Sequence, residues 1–245
     1  MRTFIVISYV LMLMLAFPAA ADLKVEGTRV VLEGSRKTGS IRIKNTGESP
    51  VLIQSWIDDG DADAKPENMR VSLTTTTPMF RLNPGARRDI NVRVAEPAHL
   101  PPDRESLFWL NVLDVPGREA NGNHAAIEQA VQWRMKVFHR PAGLLGKPEA
   151  AIDALEWDIR RSDSGALELY ARNPSAYFVS LRTVALNGRA VAVSAADAVV
   201  APYAEWRHAL DEDQPTFPAK PLLQITWIDG EGRLHQWEGQ VAPGT

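Results

Sequence analysis

Short stretches in which apolar and polar residues alternate recur along most of the chain, separated by residues that favour turns. The clearest are 40–44 and 89–94, where a two-residue period places alternate side chains on opposite faces of a strand. No stretch keeps a helical period. In the first half of the chain the strand-like segments are 30–32, 40–44, 51–57, 79–82, 89–94, 107–113 and 127–138. Their number and length predict an antiparallel β-sandwich.

A second series of strand-like segments follows an interruption at 139–146, which contains Pro141, Gly143 and Gly146. Asn187-Gly188 is a dipeptide typical of hairpin turns. The later segments are 155–159, 167–171, 178–181, 223–228 and 234–237. The sequence therefore predicts an all-β protein with a first domain over 22–140, a linker over 141–146 and a second β-sandwich over 147–245.

The N-terminal residues follow a different pattern. Arg2 precedes an apolar run over 4–17, which ends in Pro18-Ala19-Ala20-Ala21. A positive start, a short apolar run and small residues before a cleavage point are typical of a secretory signal peptide. The run is shorter than the roughly 20 residues of a membrane span. We therefore predict that 1–21 is a cleaved signal peptide and that the mature chain is exported without membrane insertion.

Composition narrows the range of functions. The chain has 27 basic and 30 acidic residues, so no basic excess is available to neutralise nucleic-acid phosphates. It has no cysteine, which excludes disulfides and thiolate chemistry. Its five histidines show no metal-ligand spacing, and the acidic stretch 58–63 lacks the glycine and glutamate of a calcium loop, so a solvated loop is expected there. We predict a non-enzymatic protein without a cofactor, a metal or a nucleic-acid partner.

The segment that leads into the linker alternates with particular regularity. One face carries Ile127, Gln129, Val131, Trp133 and Met135, and the other carries mostly polar residues, including Arg134 and Lys136. By itself this pattern is that of an ordinary half-buried strand with one face on the core.

Four sequence blocks nevertheless make the chain resemble the PapD-like family of periplasmic pilus-assembly chaperones. The third block, Leu-Pro-Pro-Asp-Arg-Glu-Ser-Leu-Phe-Trp-Leu-Asn-Val, is long and specific. The blocks are 28–34, 80–85, 100–112 and 134–141. The resemblance implies two immunoglobulin-like domains that meet at an angle, like the arms of a boomerang.

The resemblance also assigns charged residues to the cleft between the domains. Arg29 and Lys136 match the arginine and lysine that anchor the C-terminal carboxylate of a pilus subunit. A planar guanidinium fork and a compact ammonium suit that ligand. Glu105, Arg140 and Asp229 match the residues of an interdomain salt-bridge network.

In this family, the last strand of the first domain is lent to a subunit that lacks its own final strand. The matching donor positions are Ile127, Gln129, Val131 and Trp133. Gln129 departs from the pattern, because a large apolar residue is usual there and a buried amide needs hydrogen-bond partners. The segment 116–126 is short and polar, which is similar to the short-loop branch of the family.

The resemblance implies pilus subunits and an outer-membrane usher as partners, the periplasm as the location, and possible dimerisation that caps the free donor strand. One alternative is a secreted two-domain adhesin or carbohydrate-binding module, which should carry aromatic clusters on loops. Trp56, Trp109 and Trp133 instead lie within strand patterns. A periplasmic hydrolase is a second alternative, but no local catalytic motif such as G-x-S-x-G is present.

Overall fold

The computed structural model describes residues 23–34, 36–61, 69, 71–116, 130–162, 164–195, 197–210, 218 and 220–243. The predicted signal peptide, 1–21, lies outside the described residues, as do the predicted donor positions Ile127 and Gln129.

The first domain is built from two packed sheets. Its strands are β1 (Leu23–Glu26), β2 (Arg29–Glu33), β3 (Thr38–Asn45), β4 (Val51–Asp58), β5 (Leu73–Thr75), β6 (Met79–Leu82), β7 (Arg87–Val94), β8 (Ser106–Pro116) and β9 (Val131–Arg140). One sheet has the order β1-β3-β7-β5 and the other the order β2-β9-β8-β4-β6. The chain thus crosses from one sheet to the other between β1 and β2, at Gly27, whose φ is 129°.

Alternation along the strands builds the core of this domain. In β3, Ile41 and Ile43 are buried while Arg42 between them is exposed. The same alternation in β4 buries Val51 and Ile53 against them. Each such side chain contributes about 1.5–3 kcal/mol by leaving water, so the pattern fixes which face of each sheet is turned inward.

The second domain is also a pair of sheets with its own core. Its strands are β10 (Glu156–Arg161), β11 (Leu167–Arg172), β12 (Val179–Leu186), β13 (Arg189–Val191), β14 (Val199–Val200), β15 (Glu205–Ala209), β16 (Leu222–Ile228), β17 (Leu234–Gln240) and β18 (Ala242–Pro243). The sheets have the orders β15-β11-β10-β18 and β13-β12-β16-β17, with β14 also paired to β12. Ala151 and Ile152 already belong to this core, and Leu144 packs against it.

The prediction of an all-β protein with two sandwich domains is confirmed. β9 extends to Arg140, past the point where the sequence pattern breaks at His139. The reason is tertiary: β2 pairs in parallel with β9 as far as Glu33 and Arg140, which keeps those residues extended.

Candidate functional site

Among the residues that the structure describes, one half of β9 has no strand paired to one of its edges. β9 pairs antiparallel with β8 from Val131 to His139, but it pairs with β2 only from Lys136 onward. Within the described part of the chain, residues 131–135 therefore have a neighbouring strand on one side only. Such an edge offers backbone donors and acceptors to an additional strand.

The apolar side chains of this half-strand face the core of the first domain. Met135 is buried, Trp133 packs against the buried cluster, and Val131 is half-buried at the open end. The two predicted donor positions that the structure describes, Val131 and Trp133, thus lie on one face of the edge-exposed half of β9. The next residue on that face, Val137, is fully buried where β2 covers the edge.

Arg29 and Lys136 lie side by side where the free edge ends. They are register partners in the parallel pairing of β2 with β9, so their side chains project from the same face. Arg29 Nη1 donates to the carbonyl of Ile228 at 3.2 Å and to Ser180 Oγ at 3.4 Å, and Lys136 Nζ donates to the carbonyl of Ala198 at 3.4 Å. All three acceptors belong to the second domain, so both cations lie in the cleft between the domains.

The electrostatics of this pair favour an anionic ligand. Burial lowers the pKa of Arg29, and the charge of Asp229 opposes that shift. Burial and the charge of Arg29 together lower the pKa of Lys136 from 10.5 to about 8. Arg29 Nε is buried, and no described residue forms a hydrogen bond with it. A bound carboxylate would balance the charges of these two partly desolvated cations. It would also accept a hydrogen bond from Arg29 Nε.

Glu105 and Arg140 form an ion pair where the domains meet. Arg140 Nε lies 2.7 Å from Glu105 Oε1, and the other oxygen of Glu105 accepts the backbone N–H of Phe178 at 2.8 Å. Arg140 Nη1 also contacts Glu33 Oε1 at 2.7 Å. Burial raises the pKa of Glu105, although Arg140 opposes the shift. The sequence motifs indicated Glu105 and Arg140 as members of this contact but did not indicate Glu33. Glu33 is the second-last residue of the first block, and nothing else in the sequence marked it.

Asp229 makes its described contacts within the second domain. Its carboxylate contacts Arg233 Nε and His235 Nε2, both at 2.8 Å, rather than Arg140. Burial alone would raise the pKa of Asp229, but these contacts and the turn amides outweigh it and hold the pKa well below its usual range. The structure therefore brings together four of the predicted charged residues in two pairs, and places Asp229 beside Arg29 as a neighbouring charge.

A polar network that the sequence did not indicate covers the cleft face of the same sheet. Asp58, expected in a solvated loop, is instead the last residue of β4 and is buried. Its carboxylate accepts from Arg134 Nη2 at 2.7 Å and from Asn111 Nδ2 at 2.6 Å. Arg134 also stacks over Trp109, 4.3 Å from the ring centroid. This network ties the edge-exposed half of β9 across β8 to β4.

The described residues contain no group of three or more histidine, aspartate or glutamate side chains arranged to hold a metal ion. Among the same residues, no helix has both the length and the apolar character needed to cross a membrane.

Comparisons with known proteins agree with this architecture. Residues 22–145 match the model of the pili and flagellar-assembly chaperone PapD N-terminal domain, and 150–238 match the pili assembly chaperone PapD C-terminal domain. Over 232 residues the chain is 34% identical to the chaperone protein FimB/FhaD of Bordetella pertussis, covering 93% of this chain and 91% of the relative.

Solved structures show the same fold. The Pseudomonas aeruginosa CupB2 chaperone matches with a TM-score of 0.71 and 30% identity, over 89% of this chain and all of the other. The Salmonella enterica SafB chaperone, solved with the SafA pilin, matches with a TM-score of 0.75 and 19% identity, over 92% of this chain and 99% of the other. Two matching domain models and a relative aligned over nearly the whole length show the family, which is one of chaperones rather than enzymes: the chain is a fimbrial chaperone and belongs to the PapD family of pilus-assembly chaperones.

Proposed function

We propose that this chaperone acts in the periplasm, captures pilus subunits by lending them β9, and hands them to an outer-membrane usher. The observation that carries the proposal is the unpaired edge over 131–135, which runs directly into the Arg29–Lys136 pair. An incomplete sandwich could gain both backbone partners and apolar side chains from this edge.

The pairing of β2 sets the direction of the captured strand. β2 runs parallel to β9 and covers its edge from Lys136 onward. A partner strand on residues 131–135 whose C-terminal carboxylate binds Arg29 and Lys136 must therefore run toward Lys136. It lies in line with β2 and parallel to β9, and its carboxylate ends next to the beginning of β2.

Purification of the chain from the periplasm of its natural host tests this proposal. We expect it to co-purify with a small secreted polypeptide, identified by mass spectrometry, that aggregates or is degraded when the chaperone is absent. Recovery of the chaperone without any such chain under conditions of pilus expression would contradict the proposal. Without a subunit, the same edge could pair with a second copy, which sedimentation measurements over a range of concentrations would detect.

The lowered pKa of Lys136 predicts how capture depends on pH. Below pH 8 the ammonium is already charged, so carboxylate binding requires no proton. Above pH 8 the free lysine is largely neutral, and each binding event must take up one proton. We expect the association constant to fall about tenfold per pH unit above pH 8, measured by titration calorimetry.

A Lys136→Arg variant is the control for this pH profile, because arginine does not titrate in the same range. Its absolute affinity can differ from that of the wild type, but its slope above pH 8 should be near zero. Equal slopes for the two proteins would show that another group controls the pH dependence.

Two neighbouring residues on opposite faces of β9 test the donor strand. Val131→Thr keeps the shape of the side chain but places a hydroxyl in the apolar groove of the partner, at a cost of about 1–2 kcal/mol in binding. Gln132 lies on the other face and is exposed. Gln132→Thr should therefore leave the dissociation constant within twofold of the wild type. Similar losses in both variants would argue against this register.

A further inference from the structure

The turn between β16 and β17 of the second domain lies against the first residues of β2. The carbonyl of Ile228 accepts a hydrogen bond from Arg29 Nη1 at 3.2 Å. Gly232 approaches Thr28 so closely that a Cβ added to it would lie 2.6 Å from Thr28 Oγ1. This turn is therefore the part of the second domain that meets the chain next to and at Arg29.

Asp229 holds the shape of this turn. Its Oδ1 accepts the backbone N–H groups of Glu231 and Arg233, each at 2.9 Å, and its Oδ2 contacts Arg233 Nε and His235 Nε2 at 2.8 Å. Its own backbone N–H donates to the carbonyl of Arg233 at 3.0 Å, and its carbonyl accepts from Gly232 at 3.1 Å. The carboxylate of Asp229 is buried, whereas the side chains of Arg233 and His235 that contact it remain partly exposed.

We propose that Asp229 is a positioning residue for Arg29: it fixes the β16–β17 turn so that the Ile228 carbonyl holds the guanidinium in the cleft. This inference rests on the proposed function of Arg29 as a carboxylate anchor. It differs from the role expected from the sequence, membership with Glu105 and Arg140 in an interdomain salt-bridge network; the described carboxylate partners of Arg140 are Glu105 and Glu33.

The direction of the effect separates positioning from simple electrostatics. Asp229 is a negative charge near Arg29. If it acted only through this charge, its removal would strengthen carboxylate binding, because an anion would no longer compete for the guanidinium. If it positions Arg29, its removal weakens carboxylate binding even though a repulsive charge has been lost.

The experiment uses the C-terminal ten-residue peptide of the subunit that co-purifies with the chaperone, prepared as the free acid and as the amide. The ratio of the two affinities isolates the carboxylate from the rest of the strand. In Asp229→Ala we expect this ratio to fall about tenfold, the effect of losing one charge-assisted hydrogen bond. A ratio that is unchanged or increased would overturn the inference.

Controls separate this result from other failures. Asp158→Ala removes another arginine-paired aspartate of the second domain, from β10, and should leave the ratio unchanged. Gly232→Ala, which forces the turn away from Thr28, should lower the ratio as Asp229→Ala does. A wild-type protein that binds acid and amide equally would instead reject the carboxylate anchor itself, and the role of Asp229 with it.

A measurement without any ligand gives a second test. The charge of Arg29 contributes to the lowered pKa of Lys136. Burial is the larger cause of that lowered pKa and persists in the variant, so if Asp229→Ala releases Arg29, the pKa of Lys136, followed by NMR titration of the free protein, should rise above about 8 by the smaller part of the shift that Arg29 causes. A pKa that stays near 8 in the folded variant would show that Arg29 keeps its place, and would contradict the inference.

Discussion

Lys136→Ala should lose about 10- to 100-fold in affinity for a subunit, and Arg29→Ala should lose at least as much. Each variant removes one charge-assisted hydrogen bond to the carboxylate, worth about 1.5–3 kcal/mol. The loss at Arg29 includes a planar donor fork that the remaining lysine cannot replace. Surface plasmon resonance against the isolated subunit, or against its C-terminal peptide, gives the dissociation constants directly.

Folding should survive both substitutions. Burial disfavours the charged form of Lys136, as its lowered pKa shows. Replacing Lys136 therefore removes the free-energy cost of burying that charge in the free protein. The melting temperature of Lys136→Ala should therefore equal or exceed that of the wild type. Lys24 lies exposed on β1, in the other sheet of the first domain, and provides a matched control, because Lys24→Ala removes the same charge from a different sheet. Unchanged capture by Lys136→Ala would reject the anchor.

Arg140→Ala should destabilise the protein by about 3–5 kcal/mol, because it leaves the buried carboxylate of Glu105 without a cation to balance its charge. The side chain of Glu105 is only 2% exposed, whereas that of Glu33 is 60% exposed. Glu33→Ala removes the other carboxylate on Arg140 and should cost less than about 1 kcal/mol. Urea unfolding monitored by tryptophan fluorescence would measure both.

The pH dependence of the stability lost in Arg140→Ala identifies the cause of that loss. In Arg140→Ala, burial of Glu105 is no longer opposed by a cation, so the folded-state pKa of Glu105 rises further above its unfolded value. A raised carboxyl pKa favours the folded state at low pH and loses that contribution as the pH rises through it. The difference in unfolding free energy between Arg140→Ala and the wild type should therefore be smaller at pH 5 than at pH 8. A deficit that does not change with pH would point to lost packing instead.

The sequence predicted the elements with strong alternation and the short edge strand β6, but it missed other short edge strands. Glu205–Ala209 became β15 although Trp206 is its only large apolar residue, because pairing with β11 and burial of that one ring suffice at a sheet edge. β5 at Leu73–Thr75 is too short for a period to be seen. The local pattern of apolar and polar residues predicts a strand poorly where pairing with a neighbouring strand is what stabilises it.

In the candidate site, too, some features could be predicted from the sequence and others could not. Motifs indicated Arg29, Lys136, Glu105 and Arg140, but no local pattern could show that Arg29 and Lys136 are register partners in a parallel pair. The network around Asp58 joins residues from three strands, so no short motif contains it. Parallel pairing and cross-strand contacts depend on the order of the strands in the sheet, and local sequence patterns do not reveal that order.

The position of β2 has a practical consequence for anyone who labels these fibres. In the proposed capture mode the subunit strand ends at Lys136, because β2 occupies the edge of β9 beyond that residue, so we expect an affinity tag or fluorescent protein appended after the last native residue of a subunit to collide with β2. Such a fusion would fail at the first step of assembly even if the pilin itself tolerated the addition. Labels should therefore be inserted in surface loops of the subunit, far from its terminus.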